Sequence, residues 1–240
     1  NIGIYLLNEI NSKRKNIELL TGKKINISAV SAKNINKKRK FKFNKKIFYK
    51  NPLNIFKEKK IDILFECIGS SDGMSKKIVE KAIKNRSHVI TPNKSLIAKH
   101  GNNLSKLAEK YKVNLEFEAS VCGGIPILRT IKEGLSTNKL NKVYGILNGT
   151  SNYILSEMES TKDTFENVLK KAQTLGYAEP GNATPDLNGS DAMSKVKILS
   201  SLAFNNQISN HKCLMQGIED IESKDFEIAD QLNLKIKLLG

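Results

Sequence analysis

From its start to about residue 120, the chain alternates short apolar runs with amphipathic stretches, and this alternation restricts the fold more than any other feature. Ile61–Ile68 (IDILFECI) is an apolar run closed by the turn signal Gly69-Ser70-Ser71-Asp72-Gly73, the pattern of a strand buried on both faces. Further strands are expected at Ile25–Val30, Lys46–Tyr49 and His88–Ile90, and at Val113–Glu118, where apolar and polar residues alternate. Lys76–Lys84 and Leu96–Tyr111 have helical spacing between them, and Gly3 to about Lys15 clusters Ile4, Leu6, Leu7 and Ile10 as a helix with no strand before it. Strands and helices taking turns imply parallel strands joined by crossover helices. That is the doubly wound α/β architecture, whose ligands sit beyond the carboxyl ends of the strands.

After Cys122-Gly123-Gly124-Ile125-Pro126 the pattern changes. A helix over Ile127–Leu135, a strand over Val143–Leu147 and long helices from Ser151, Thr164 and Asp191 describe an α+β unit. The expected division is a Rossmann-like domain over 1–126 and a second domain over 127–240, which the resemblance given below makes a catalytic and dimerisation domain, the two sharing an interface. At 240 residues and 39% hydrophobic content, the chain is long and apolar enough for packed cores.

A dinucleotide fold places G-x-G-x-x-G between its first strand and first helix, and only Gly3 stands there. Asn1-Ile2-Gly3 reads as the last three positions of that motif, with the first strand and two glycines lying before the chain; the other reading is an ordinary glycine at a helix start. Ile2 and Gly3 are therefore cofactor-binding candidates. An enzyme using NAD carries Asp or Glu at the end of the second strand to accept from the ribose. Here Val30 is followed by Ser31-Ala32-Lys33-Asn34 and then by Lys37-Lys38-Arg39-Lys40, Lys42, Lys45 and Lys46, with Phe41 and Phe43 interleaved. Cations there complement the extra phosphate of NADP, so NADP is preferred over NAD. Lys33 is a candidate contact, with plain exposure as the alternative.

The net charge of +16 raises the question of nucleic acid, but the lysines are spread along the whole chain, the pattern of coding bias and a solvated surface. Nucleic-acid binding is kept as a minor alternative. No run approaches the roughly 18 apolar residues of a membrane span, and the first residues lack the basic start and cleavage site of a secretion signal. A cytoplasmic protein is expected. Three scattered cysteines form neither a disulfide framework nor a zinc spacing.

Six motifs follow one another in order across about residues 60–204: ECIGSSDG, HVITPNKSLIA, FEASVCGGIPI, GILNGTSNYIL, AQTLGYAE and DLNGSDAMSKVKIL. Together they resemble the homoserine dehydrogenase family. The resemblance implies NADP-dependent interconversion of L-homoserine and L-aspartate 4-semialdehyde, a step toward threonine, methionine and isoleucine. It places Ser70, Lys94 and Gly176 with Ile2 and Gly3 at the cofactor, and Lys94 also beside the substrate. It makes Lys195 the proton donor to the aldehyde oxygen, Asp191 a substrate ligand that steadies Lys195, and Glu179 the partner of the substrate ammonium. It assigns a monovalent cation, sodium, to Glu118, Val121, Gly123 and Ile125, and a homodimer to the full-length protein.

The residue types suit these roles. Lysine at a helix start opposes the positive end of the helix dipole, so Lys94 is locally unfavourable and points to a functional reason. Asp191 and Lys195 are four apart, so a helix puts them on one face with the acid first; for an arbitrary pair this is a surface salt bridge, and only the motif reverses that reading. Proton exchange at working pH calls for partial burial of Lys195. Hard cations take oxygen ligands, and glycines let carbonyls turn inward; the plain alternative is a glycine-rich hinge. Cys122 has no histidine base in its motif, so a thiol nucleophile is the poorer reading. The stretch Glu179–Asp186 is about one residue longer than the family's spacing, which bears on loop geometry. A chain truncated at both ends is expected. The rivals are a non-catalytic binding protein that keeps the fold and another oxidoreductase of the same architecture.

Overall fold

A computed structural model describes residues 2–34, 44–181, 183–207 and 213–240. Asn1, the cluster from Lys37 to Phe43, Asn182 and His211 lie outside the described residues. The chain divides into two compact units, Asn1–Ser120 and Val121–Gly240.

The first unit opens with helix α1 (Ile2–Thr21), which runs past the expected end near Lys15. Its helix-forming residues continue to Gly22, whose φ of 66° and N–H bond to the Glu18 carbonyl close the last turn. Strands β1 (Val30–Ser31) and β2 (Phe48–Tyr49) pair in parallel. A short helix α2 (Ile55–Glu58) leads to β3 (Ile63–Phe65), α3 (Met74–Lys84), β4 (His88–Ile90), α4 (Lys94–Tyr111) and β5 (Leu115–Glu116). The second sheet has the order β3-β4-β5, all parallel, with Ile63 opposite His88 and Ile90 opposite Glu116.

The strands are shorter than the apolar runs that announce them. Strand structure needs a hydrogen-bonded neighbour, and extended backbone beyond the paired residues does not qualify. Helix spacing is more local and is followed closely: Ile78, Val79, Ala82 and Ile83 of α3 are buried with Leu96, Ile97, Leu104 and Ala108 of α4, beside Val89 and Leu115 from the sheet. Asn93 caps α4 by accepting from the Leu96 N–H, and Lys112, at φ 56°, ends it.

The second unit contains α5 (Ile127–Arg129), α6 (Gly149–Thr161), α7 (Phe165–Leu175), α8 (Thr184–Leu187), α9 (Ser190–Ala203) and α10 (Ser223–Gln231). Ile154, Leu155, Met158, Val168, Ala172, Leu187, Ile218 and Phe226 form its core. Two expectations are corrected here. Ile127–Leu135 is not one α-helix: α5 widens into a π-turn over Thr130–Gly134, closed by the Leu135 N–H on the Thr130 carbonyl at 2.9 Å. Val143–Leu147 is not a strand among the described residues. Its ladder consists of one reciprocal pair, Gly145 with Gly240, 3.0 Å in each direction.

No helix among the described residues is long and apolar enough to cross a membrane. The α/β class with parallel sheets in the first unit stands as expected.

Candidate active site

Helix α9 carries the candidate residues Asp191 and Lys195 of the second unit. It starts from Gly189, whose φ is 83°; a Cβ there would lie 2.9 Å from the Gln216 carbonyl oxygen, so only glycine lets the two segments approach this closely. The first turn of α9 then presents Asp191, buried at 6% exposure, and one turn later Lys195. Their charged groups meet at 2.8 Å with side chains 7% and 16% exposed. This is a buried acid with a half-buried ammonium, unlike the solvated bridge that the spacing alone describes.

The pair is gripped by the residues entering α6. Lys195 Nζ donates to the Leu147 carbonyl at 2.6 Å. The next residue, Asn148, donates from Nδ2 to Asp191 Oδ2 at 2.8 Å and to Asp186 Oδ1 at 2.6 Å. Its Oδ1 caps α6 by accepting from the Ser151 N–H at 2.8 Å and stands 3.0 Å from the Ser151 hydroxyl. Among the described residues, Asp191 and Leu147 engage two of the three ammonium protons of Lys195, so one is available to an oxygen brought to the site. A buried acid, a half-freed ammonium and a fixed backbone carbonyl are the parts of a proton donor.

Gly176, with φ 82°, ends α7 and turns the chain into Tyr177-Ala178-Glu179. Tyr177 stacks on Tyr153 of α6 with ring centroids 4.3 Å apart, and its carbonyl accepts from the Thr150 hydroxyl at 2.6 Å. GYAE is thus laid along NGTSNYIL, and Glu179 is exposed just beyond. Three motifs converge on the start of α6. Sequence reasoning started this helix at Ser151 and missed the grip of Asn148 on Asp191 and the tyrosine stack; the aromatic residue in each motif was the available signal.

In the first unit, Ser70 and Lys94 follow the carboxyl ends of β3 and β4. Lys94 is half-buried as the first residue of α4. Ser70 is exposed; its hydroxyl donates to the Asp72 carbonyl at 3.0 Å and its own carbonyl accepts from Asn93 Nδ2 at 2.8 Å. Gly69 and Gly73 have φ of 93° and 66°, with open space where a side chain would stand. Lys99, His100 and Ser71 bond to Asp72 and hold its carboxyl far below the usual carboxylate range. Ile2 is exposed, and Gly3 lies in ordinary contact range of Cys67, so nothing in the fold itself requires glycine there. Burial, helped by the nearby Glu66, pushes the Cys67 thiol up, which makes it a poor nucleophile. Lys33 is exposed two residues past β1.

Glu118 opens a 3-10 turn, Glu118–Ser120. Val121 is fully buried, while Gly123 and Ile125 are exposed in a loop whose Cys122 and Gly124 have φ of 49° and 93°. The Cys122 carbonyl accepts from the Ile125 N–H, and the Ile125 carbonyl from the Ile127 N–H, both at 2.8 Å.

Residues 1–118 match the family model described as "Homoserine dehydrogenase, NAD binding domain", and residues 126–240 match the one described as "Homoserine dehydrogenase". The chain is 45% identical over 193 residues to the homoserine dehydrogenase of Neisseria gonorrhoeae, covering 80% of this chain and 44% of that protein. It is 37% identical over 216 residues to that of Bacillus subtilis, covering 90% and 49%. Among solved structures, a homoserine dehydrogenase from Thiobacillus denitrificans superposes with a TM-score of 0.89 at 36% identity, covering 99% of this chain and 55% of that one. The chain spans about half the length of the curated relatives it matches.

Proposed function

This chain belongs to the homoserine dehydrogenase family, with an NAD(P)-binding domain in its first half, and from that premise we propose that it takes part in the NADP-dependent interconversion of L-homoserine and L-aspartate 4-semialdehyde, on the route to threonine, methionine and isoleucine. The functional division proposed is 1–126 for cofactor binding and 127–240 for catalysis and dimerisation.

The observation that carries this reading is the Asp191–Lys195 pair held by Leu147 and Asn148. Reduction of an aldehyde places negative charge on its oxygen, and that charge is met by a proton from a positioned acid. Lys195 gives that proton and, in the reverse direction, takes it from the hydroxyl of homoserine. Asp191 keeps the ammonium aimed and binds substrate. Glu179, exposed at the end of GYAE, pairs with the substrate ammonium, and Lys94 adds a second cation that orients the substrate. The nicotinamide of the bound cofactor supplies or accepts the hydride.

The residues fit a dinucleotide. Gly69 and Gly73 leave the carboxyl end of β3 open to a large ligand, and Ser70 offers a hydroxyl there. Ile2, Gly3 and Gly176 are further proposed contacts. The absence of an acid in Ser31-Ala32-Lys33-Asn34, at the end of β1, supports NADP over NAD. For the monovalent cation, sodium, the proposed ligands are Glu118, Val121, Gly123 and Ile125. An oxygen donor set with glycine in the loop suits a hard cation. A homodimer and a cytoplasmic location complete the proposal, on the family resemblance and the composition.

The test is NADPH oxidation with L-aspartate 4-semialdehyde by the longest form its reading frame encodes, parent beside Lys195→Ala at constant salt. A folded K195A protein slower by about 10²-fold to 10⁴-fold is the expected result for loss of a general acid. A folded parent that binds NADPH and turns over no semialdehyde overturns the assignment.

A further inference from the structure

Glu66 is a carboxylate to which the reaction described above gives no task. It follows β3 at 2% exposure. Its Oε1 accepts from the Ile68 N–H at 2.7 Å, the Gly69 N–H at 3.4 Å and the Ser75 hydroxyl at 3.0 Å. Its Oε2 accepts from the Thr91 hydroxyl at 2.6 Å and from Asn93 Nδ2 at 3.4 Å. One buried side chain thus ties together the loop after β3, the first turn of α3 and the Thr91–Asn93 turn that leads into α4.

The partners carry the constraint outward. Asn93 donates its N–H to Thr91 Oγ1 at 3.0 Å and its Nδ2 to the Ser70 carbonyl, while its Oδ1 caps the helix that begins with Lys94. Ser75 Oγ lies 3.1 Å from Ser70 Oγ. Every one of these donors to Glu66 is neutral, so the charge is dispersed over hydrogen bonds alone. Burying a carboxylate is unfavourable, and an apolar side chain would fill the same space more cheaply. What a carboxylate offers instead is two acceptor oxygens facing opposite flanks at once. A fully satisfied buried network of this kind fixes one geometry and tolerates few others.

We infer that Glu66 is a positioning residue for cofactor binding. It holds the Gly69-Ser70 loop and the turn before Lys94 in the shape that receives the dinucleotide, acting through Ser70 and through the Asn93 cap. The inference rests on the reading of the first unit as the NADPH site.

Glu66→Gln keeps the shape but replaces one acceptor with a donor, which sets it against donors on one flank. NADPH affinity is measured by titrating the nicotinamide fluorescence of the full-length protein, well below the thermal midpoint of each variant. Folded E66Q is expected to bind NADPH at least about ten-fold more weakly. Ser75→Ala, which removes one donor to Oε1 and the neighbour of the Ser70 hydroxyl, is expected to weaken binding a few-fold in the same direction. A merely structural role lowers the thermal midpoint and leaves the affinity of the folded protein unchanged. That result in E66Q, or in S75A if E66Q does not fold, overturns the inference. A folded parent that fails to bind NADPH overturns the cofactor reading itself and this inference with it.

Discussion

Asn148 places its two amide protons on Asp186 and Asp191, and its oxygen accepts the Ser151 N–H. It is at once the cap of α6 and the clamp on the acid that steadies Lys195. Asn148→Ala removes both roles. The lost cap and the carboxylates left short of a donor together are expected to cost about 2–4 kcal/mol, read from urea unfolding. Turnover is expected to fall along with stability, because Asp191 is left with Lys195 but without its fixed direction. The asparagine's capping role was visible in Asn148-Gly149-Thr150-Ser151, a local pattern. Its reach to Asp191, 43 residues away, was not, because a side chain's distant partner depends on where the packed backbone places it. Glu66 was overlooked for the same reason: within IDILFECI it interrupts an apolar run, and its partners lie as far as 27 residues ahead.

At the scale of elements, α9 depends on the turn that launches it. Gly189→Ala would meet two penalties, a φ of 83° that side chains rarely adopt and a Cβ 2.9 Å from a backbone oxygen that has little freedom to give way. A destabilisation of about 1–3 kcal/mol or more is expected from the strain alone, measured by thermal unfolding. Any folded G189A protein is expected to be slower than the parent, since the first turn carrying Asp191 must shift. Helices were the most legible elements because spacing, cap and terminating residue all lie within the helix itself. Asn93 and Thr164 cap their helices and Gly176 ends one, each within a turn of the helix it bounds. Strands were legible in order and not in extent: β1 is Val30–Ser31 and meets the expected Ile25–Val30 only at Val30. Val143–Leu147 has the composition of a strand, and its ladder goes no further than the reciprocal pair of Gly145 with Gly240.

At the scale of the molecule, forty lysines and arginines against twenty-four acids set a positive field around the chain. An anionic cofactor is drawn by such a field, and salt screens it. We expect kcat/KM for NADPH to fall several-fold between about 0.05 M and about 0.3 M NaCl, measured by initial rates. The slope should be the same in Lys195→Ala, which under the proposed role loses a proton donor and not an encounter term. A salt-independent kcat/KM would show that the excess lysines only solvate the surface.

The order of strands and helices in the first half, the helices of the second and the identity of the motif residues were written in local signals: period, cap, turn and spacing. Those signals act over a few residues, where the backbone's own geometry decides. The burial of Asp191 beside Lys195, the attachment of the pair to Leu147 and Asn148, the stack of Tyr153 on Tyr177 and the network around Glu66 were decided by tertiary structure. Each joins chemistry from separate elements, and a side chain four residues from its partner reads the same in sequence whether solvent or a packed helix surrounds it. Only the packing excludes the water that would otherwise make such a pair worth little.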